Sequence, residues 1–302
     1  MDLNHINESR IDKVFKVFVY MCLTCALLIV LYPLIYIMSA SISNPTAVNS
    51  GQMWLFPKDI TFEGYRVIFN NDSIWRGYMM TIFYTAFGTL INLAVTIPAA
   101  YALARRDFYG RSFFMIMFVI TMFIDGGLIP TYLVVRNLGM IDTIWAMVLP
   151  NAAALWNIII ARVFFQSTIP RGLEEAAIID GASNFKLFVK IILPLSAPII
   201  AVMALFYGVG HWNGYFNAMI YLSDRSLYPL QLVLREILVL QEMSSNNMNM
   251  TGEMAQFLHS QQQLSAIIKY GVMIVSSLPI IIAYPFLQRY FVKGVMIGSL
   301  KG

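Results

Sequence analysis

Glu174-Glu175-Ala176-Ala177-Ile178-Ile179-Asp180-Gly181-Ala182, followed by Leu193-Pro194-Leu195 and Pro198, lies between two long apolar runs at residues 143–164 and 195–222. The stretch reads as a polar helix with small-residue gaps. It can start at Pro170, since proline loses nothing at a first-turn position, with Ser167 or Thr168 as the cap. Glu174, Glu175 and Asp180 complement the positive N-terminal end. Gly181 breaks or bends the run, and Ser183 or Asn184 can open a second short helix leading to Pro194. Ala176 and Ala177 leave almost no side-chain bulk on part of this helix, so the groove of another protein could close tightly around it. A polar helix of this kind between apolar runs is what a membrane protein offers to a partner on one side of the bilayer.

The composition agrees. Of 302 residues, 59% are hydrophobic and 12% charged, against roughly 25% charged in an average soluble domain. Six apolar stretches, at 17–39, 79–104, 113–135, 143–164, 195–222 and 267–287, approach or exceed the roughly 20 residues that cross a bilayer at about 1.5 Å rise each. They are far longer than barrel strands, and lipid leaves no open backbone group satisfied, so helices are expected. The expected fold class is therefore all-α integral membrane with six transmembrane helices. With the N-terminus inside, thirteen of the twenty Lys and Arg residues fall on the cytoplasmic side, which fixes the orientation. The chain divides into a cytoplasmic N-terminal segment 1–16, a six-helix domain 17–290 and a cytoplasmic tail 291–302. The domain carries a cytoplasmic loop at 165–194 and extracellular segments at 42–78 and 223–266. The net charge of +4 reads as topology and contact with anionic lipid, and no nucleic-acid partner is expected.

The first span is too long for a signal-peptide core and reads as a retained anchor. Cys22 and Cys25, one turn apart within it, read as small apolar fillers. The segment 42–78 is expected to lie over the outer surface with short helical pieces, and the Met- and Asn-rich part of 223–266 to form a contact loop.

Polar groups inside the spans are candidates for a translocation path. Asp125 falls about 18 Å along the third span. A carboxylate facing lipid there costs roughly 2.5 to 3.5 kcal/mol, so it should face protein or water. Gly126, Gly127 and Pro130 permit an unwound turn lining a cavity. Asp125 admits two roles, hydrogen bonding to sugar hydroxyls or pairing with Arg136. Tyr132 closes the same motif. His211, Trp212, Asn213 and Asn217 lie in the outer half of the fifth span, where an aromatic face and amides suit sugars. Helix packing by Gly210 and Gly214 and ordinary interfacial placement of Trp212 are the competing reading. His211 has no ionisable neighbour in sequence to make a proton relay, and no metal site is expected among the nineteen methionines.

Glu175-Ala176-Ala177, Gly181, Ile191 and Leu193-Pro194 resemble the Glu-Ala-Ala loop of binding-protein-dependent ABC importer permeases at every position of that pattern. Further stretches narrow the resemblance to MalG-like permeases of carbohydrate importers with a type I, MetI-like core. These are Ala99-Ala100-Tyr101-Ala102-Leu103-Ala104-Arg105, Gly126-Gly127-Leu128-Ile129-Pro130-Thr131-Tyr132, Trp212-Asn213 with Tyr228-Pro229-Leu230-Gln231, and Gln288-Arg289-Tyr290-Phe291-Val292-Lys293-Gly294. The third-span and fifth-span motifs look most like the LplC/YtcP branch, generally assigned to oligosaccharide or polysaccharide-fragment import.

The resemblance implies a transport subunit forming half of a path, without catalytic residues or cofactor of its own. ATP and Mg would be bound by two partner ATPase subunits, since no Gly-x-x-x-x-Gly-Lys-Ser/Thr loop occurs. A second, MalF-like permease and an extracellular solute-binding protein would complete the assembly in the bacterial cell membrane, with both termini of this chain cytoplasmic. Glu174, Glu175, Ala176, Ala177, Asp180, Gly181, Ala182, Leu193 and Pro194 would couple the chain to an ATPase, passing force to the fifth span through the 185–193 connector. The alternatives are a stand-alone secondary transporter, for which internal repeats and paired intramembrane charges are missing, and a membrane-embedded enzyme using Asp125 and His211, for which no Gly-x-Ser-x-Gly or His-Glu-x-x-His motif is present. A sensor of substrate occupancy on the same fold is a further possibility.

Overall fold

The computed structural model describes residues 9–245, 268–282 and 284–285, which are helices and their connections with no strand among them. They divide into two compact units, one of residues up to Asn71 with Ile237–Ser276, the other of Asp72–Glu236 with residues from Ser277 onward.

The first unit opens with α1 (Arg10–Ser41), started by a capping box in which Asp12 N–H donates to Ser9 Oγ and Ser9 N–H to Asp12 Oδ2. These bonds satisfy two groups that an unpaired helix end would leave open. Cys22 and Cys25 are free thiols on its exposed surface. The helix ends in a cluster of hydroxyls. Ser39 Oγ donates to Leu55 O at 2.6 Å, Ser43 Oγ to Ser39 O at 2.6 Å, and Tyr65 OH to Ser41 Oγ at 2.9 Å. These bonds fold the expected short helical pieces, α2 (Pro45–Asn49) and α3 (Glu63–Phe69), back on the end of α1.

The second unit is built around α4 (Asp72–Ala104), which begins seven residues before the apolar run alone indicates. The third apolar run is not one helix. It forms α5 (Arg111–Phe123) and α6 (Leu128–Asn137), turned 114° at the unwound residues 124–127. Gly127, at φ +82°, makes the left-handed turn that a side chain resists. The fourth run is split too, into α7 (Ile144–Val148) and α8 (Leu155–Thr168). After the polar segment, α9 (Arg171–Ile179) and α10 (Asn184–Leu187) lead through a π turn at Phe188–Ile192 into α11 (Leu193–Leu195), α12 (Ala197–Trp212) and α13 (Phe216–Tyr221). The chain continues as α14 (Leu230–Ser245) and α15 (Ile268–Ile282). Among the described residues, α1 and α4 are long and apolar enough to cross a membrane as single helices, and α5–α6 and α10–α12 are so as bent pairs. The expected Met- and Asn-rich contact loop begins at Glu242, but α14 continues helical through Ser245; the rest of that segment, from 246, the Gln288–Gly294 motif and the tail 291–302 lie outside the described residues.

The break at 149–154 explains the most buried polar residues of α4. A helix that opens in an apolar layer exposes N–H and C=O groups which lipid cannot satisfy. Asn92, fully buried on α4, donates from Nδ2 to Asn151 O at 2.7 Å and to Ala152 O at 2.9 Å. Tyr207 of α12 accepts the Ala154 N–H at 3.2 Å, and its hydroxyl is 2.6 Å from Thr96 Oγ1 of α4. Thr81, also fully buried, accepts the Leu230 N–H at 2.7 Å where α14 begins. One face of α4 thus supplies partners for interruptions in its neighbours. Asn92→Ala is expected to lower the stability of the detergent-solubilised protein by about 2 kcal/mol, read as an earlier midpoint in chemical denaturation, whereas Leu90→Ala on the exposed face should shift it little.

Candidate functional site

The polar segment and the cavity of α4 and α12 are both in the second unit. In the polar segment, α9 starts at Arg171, one residue later than expected, because Pro170 is extended and takes the N-cap position itself, and no side chain caps the helix. Thr168 is the last residue of α8, and the Ser167 hydroxyl turns back to donate to Phe164 O at 3.3 Å. Serine so placed bonds its own helix in preference to capping the next. The end of α9 is a Schellman turn: Ala182 N–H donates to Ala177 O at 2.9 Å, Gly181 N–H to Ile178 O at 3.0 Å, and Gly181 stands at φ +73°. Asp180 is the C-cap residue. Its charge is therefore at the wrong end of α9 to complement the N-terminal dipole, unlike Glu174 in the first turn. Ser183 then caps α10, accepting the Lys186 N–H at 3.3 Å.

The two alanines have different roles. Ala176 is exposed, but Ala177 is 6% exposed and packs into the core of the chain with Tyr101, Phe165 and Leu187. Its small size thus lets α9 lie close on its own protein. The exposed surface of the segment has Ile179 at 85% and Phe185 at 77% exposure, with Glu175 and Asp180 beside them. Glu174 turns the other way, accepting a hydrogen bond from Tyr101 OH at 3.0 Å. Arg105 Nη1 donates to Asn184 Oδ1 at 2.8 Å, and its Nε donates to Asp107 Oδ1 at 2.7 Å. These Arg105 bonds hold the Asp107 carboxyl below the usual carboxylate range. The exit to α12 is a π turn, in which Leu193 N–H donates to Phe188 O five residues back. Pro194 follows without an N–H to give, and Ser196 Oγ donates to Ile192 O at 2.6 Å inside the 78° bend into α12.

Of the six residues expected along a path, the structure brings three together. His211, Asn213 and Asn217 line a cavity of about 480 Å³ that also takes in Tyr84, Asn151, Asn157, Tyr207 and Tyr215. Its lining carries four Asn amides and three Tyr rings, and no Asp, Glu, Lys or Arg. Amides and phenols give both donors and acceptors, and rings cover apolar faces, which fits a polyhydroxylated ligand. The other three lie apart. Trp212 is buried, edge-on to Tyr78 at 5.8 Å. Tyr132 stacks on Tyr221 at 6.1 Å. Asp125 accepts the Gly127 N–H at 3.0 Å within the α5–α6 turn, so its recorded role is local rather than a pair with Arg136.

His211 has a partner that its sequence neighbourhood does not reveal. Its Nε2 is 2.7 Å from Asn92 Oδ1. The two carbonyls at 151 and 152 can only accept, so they fix the Asn92 amide with Nδ2 toward them, and the imidazole donates to the remaining oxygen. The ring is held against Gly88, where a Cβ would stand 2.5 Å from it. Asn92, Asn151, Asn157, Tyr207 and Tyr215 were not picked out in the sequence, although amides inside apolar runs are conspicuous because burying them unpaired is costly. Among the described residues no group of three His, Cys, Asp or Glu could hold a metal ion.

No protein-family model matches the chain. It is 38% identical to the polygalacturonan/rhamnogalacturonan transport system permease protein YtcP of Bacillus subtilis, over 96% of this chain and 99% of that one. It is 38% identical to protein LplC of the same organism, over 100% and 99%. Among solved structures it is similar to a chain of a bacterial ABC transporter involved in the import of the acidic polysaccharide alginate, with a TM-score of 0.84 and 35% identity over 95% of this chain and 100% of that one. The chain belongs to the permease subunits of ABC transport systems. It is a transport subunit rather than an enzyme, and the stand-alone transporter is not favoured.

The geometry at Gly88 yields a suppressor test. Gly88→Ala should displace the His211 ring and cost about 1–3 kcal/mol of stability, measured by thermal denaturation in detergent. Adding His211→Ala should recover part of that loss, because it removes the group in collision.

Proposed function

We propose that this chain is one of two permeases of a carbohydrate importer in the bacterial cell membrane, crossing it six times with both termini in the cytoplasm. The observation that carries the reading is the likeness, along essentially the whole chain, to a polygalacturonan/rhamnogalacturonan transport permease and to a chain of an alginate importer, joined to a charge-free cavity of amides and phenols. An oligosaccharide released by an extracellular binding protein enters between this chain and a second, MalF-like permease. Two ATPase subunits bind ATP and Mg and drive the cycle, and this chain holds neither. The domain limits are those given above, with 165–194 as the cytoplasmic coupling loop, 42–78 and 223–266 outside, and 1–16 and 291–302 inside.

Each proposed site residue then has a place in that cycle. Glu175, Asp180, Gly181 and the exposed Ile179 and Phe185 meet an ATPase groove. Glu174, Ala176, Ala177, Ala182, Leu193 and Pro194 shape and hold the segment that presents them. His211, Asn213 and Asn217 with Asn151, Asn157 and Tyr215 line the sugar path, and Asp125, Tyr132 and Trp212 support the helices around it.

The test is recovery of the solubilised chain from its native membrane with its associated proteins, followed by ATPase and uptake measurements. A nucleotide-binding subunit, a second permease and hydrolysis stimulated by the binding protein are expected. A chain that comes out alone under mild conditions would overturn the reading. Gly181→Val should insert into the membrane normally yet abolish uptake, because a branched side chain at φ +73° costs about 1–2 kcal/mol locally and turns α10 away from α9. Retained uptake in that variant would count against the assignment of the coupling loop.

A further inference from the structure

The stretch Ala99-Ala100-Tyr101-Ala102-Leu103-Ala104-Arg105 has no part in the cavity and none in the surface offered to an ATPase. Its first six residues form the end of α4 and Arg105 follows directly. The Arg105 N–H donates to Tyr101 O at 3.2 Å, which continues the helical pattern by one residue and leaves Tyr101 and Arg105, four residues apart, on one side of the helix end. Tyr101 reaches α9 through its hydroxyl on Glu174 Oε1 at 3.0 Å, and Arg105 reaches α10 through Asn184 Oδ1 at 2.8 Å. The two acceptors stand on opposite sides of the Gly181 turn, so both limbs of the polar segment are tied to one end of one helix. The Tyr101 ring is 7% exposed, set 5.6 Å from Phe165 and 5.3 Å from Phe188, and the Arg105 guanidinium is 6.0 Å from its centre. Arg162 Nε donates to Leu103 O at 3.0 Å, fastening α8 to the same turn.

We propose that Tyr101 and Arg105 are positioning residues for coupling, a clasp that moves α4 with the polar segment. The inference rests on the importer reading above. The covalent route from α9 to the membrane runs through the π turn into α12, where a bend of 78° and a proline without N–H make a compliant joint. The clasp gives a second route that bypasses this joint. It delivers displacement to the helix that gives Tyr84 to the cavity lining and holds Gly88 and Asn92 against His211. The residues lining the cavity from α12 and from α4 then both move with the segment.

The experiment measures sugar transported per ATP hydrolysed in proteoliposomes holding the complete transporter and its binding protein. The unaltered complex comes first: if it fails to couple hydrolysis to uptake, the importer reading itself fails. With a coupled wild type, Tyr101→Phe removes one hydroxyl and is expected to lower the transport-to-hydrolysis ratio about five-fold or more, with the subunits co-purifying in unchanged proportion. A purely structural tyrosine would lower assembly, hydrolysis and uptake together and leave the ratio intact, which would overturn the proposal.

A second series guards against loss of the Tyr101→Phe protein. Glu174→Gln keeps a side-chain oxygen for the phenol, and Glu174→Ala does not. With Tyr101 present, Gln should retain a clearly higher ratio than Ala, and with Phe at 101 that difference should vanish. Equal ratios for Gln and Ala beside Tyr101 would sink the clasp.

Discussion

A broken helix in an apolar layer is the constraint on which the second unit depends. The opening at 149–154 leaves carbonyls and an N–H that lipid cannot satisfy, and an orphaned group there costs several kcal/mol. Asn92 takes two of the carbonyls and Tyr207 takes the N–H of Ala154. Because one partner comes from α4 and the other from α12, both helices must approach the opening, and they meet each other there at Thr96 and Tyr207. The arrangement of the three helices is thereby fixed more narrowly than apolar packing alone would fix it, since apolar contact is non-directional and the amide is not.

The same constraint produces the cavity. The helix break sets Asn151 and Ala154 at the cavity wall, and the amide that stitches the break also orients His211. Gly88 gives the imidazole the room it needs, while Gly210 and Gly214 leave space without closing it. Irregular backbone at membrane depth is tolerated where it lines a cavity, and here Tyr207, which takes the Ala154 N–H, also lines that cavity. In the proposed sugar path, uncharged donors and acceptors would also let the ligand leave, since each contact is weaker than an ion pair would be.

What was legible in the sequence divides along physical lines. Apolar runs and basic flanks display helical membrane character openly, because hydropathy is a property of each residue alone. Gly181 was legible as a helix end, as was Ser183 as a cap, since both signals are local. The break of the fourth run was not. Pro150 disfavours a straight helix there but does not distinguish a kink from an opened segment, and the deciding partner, Asn92, is 59 residues before Asn151. Asp125 drew attention as an intramembrane carboxylate, yet its acceptor role is satisfied two residues on by Gly127 N–H. The orientation of Ala177 was also hidden. A small residue fits a partner's groove and a tight internal contact equally well, and only the fold shows it turned inward.

The inward turn of Ala177 and Glu174 changes how a push on the polar segment travels. A helix held by its own protein along one face and free along the other behaves as part of that protein, so force arriving at Ile179 or Phe185 is not absorbed by bending between the two. The small side chain at 177 brings α9 close enough for the Glu174 carboxylate to reach the Tyr101 hydroxyl, and a bulkier residue would lift the helix off both. Gly181 sets the angle between the limbs, Ser183 starts the second limb, and Asn184 meets Arg105 one residue later. The spacing of the Glu-Ala-Ala stretch to its glycine can thus be understood within this chain, as the geometry that lets two short helices share one anchor at the end of α4.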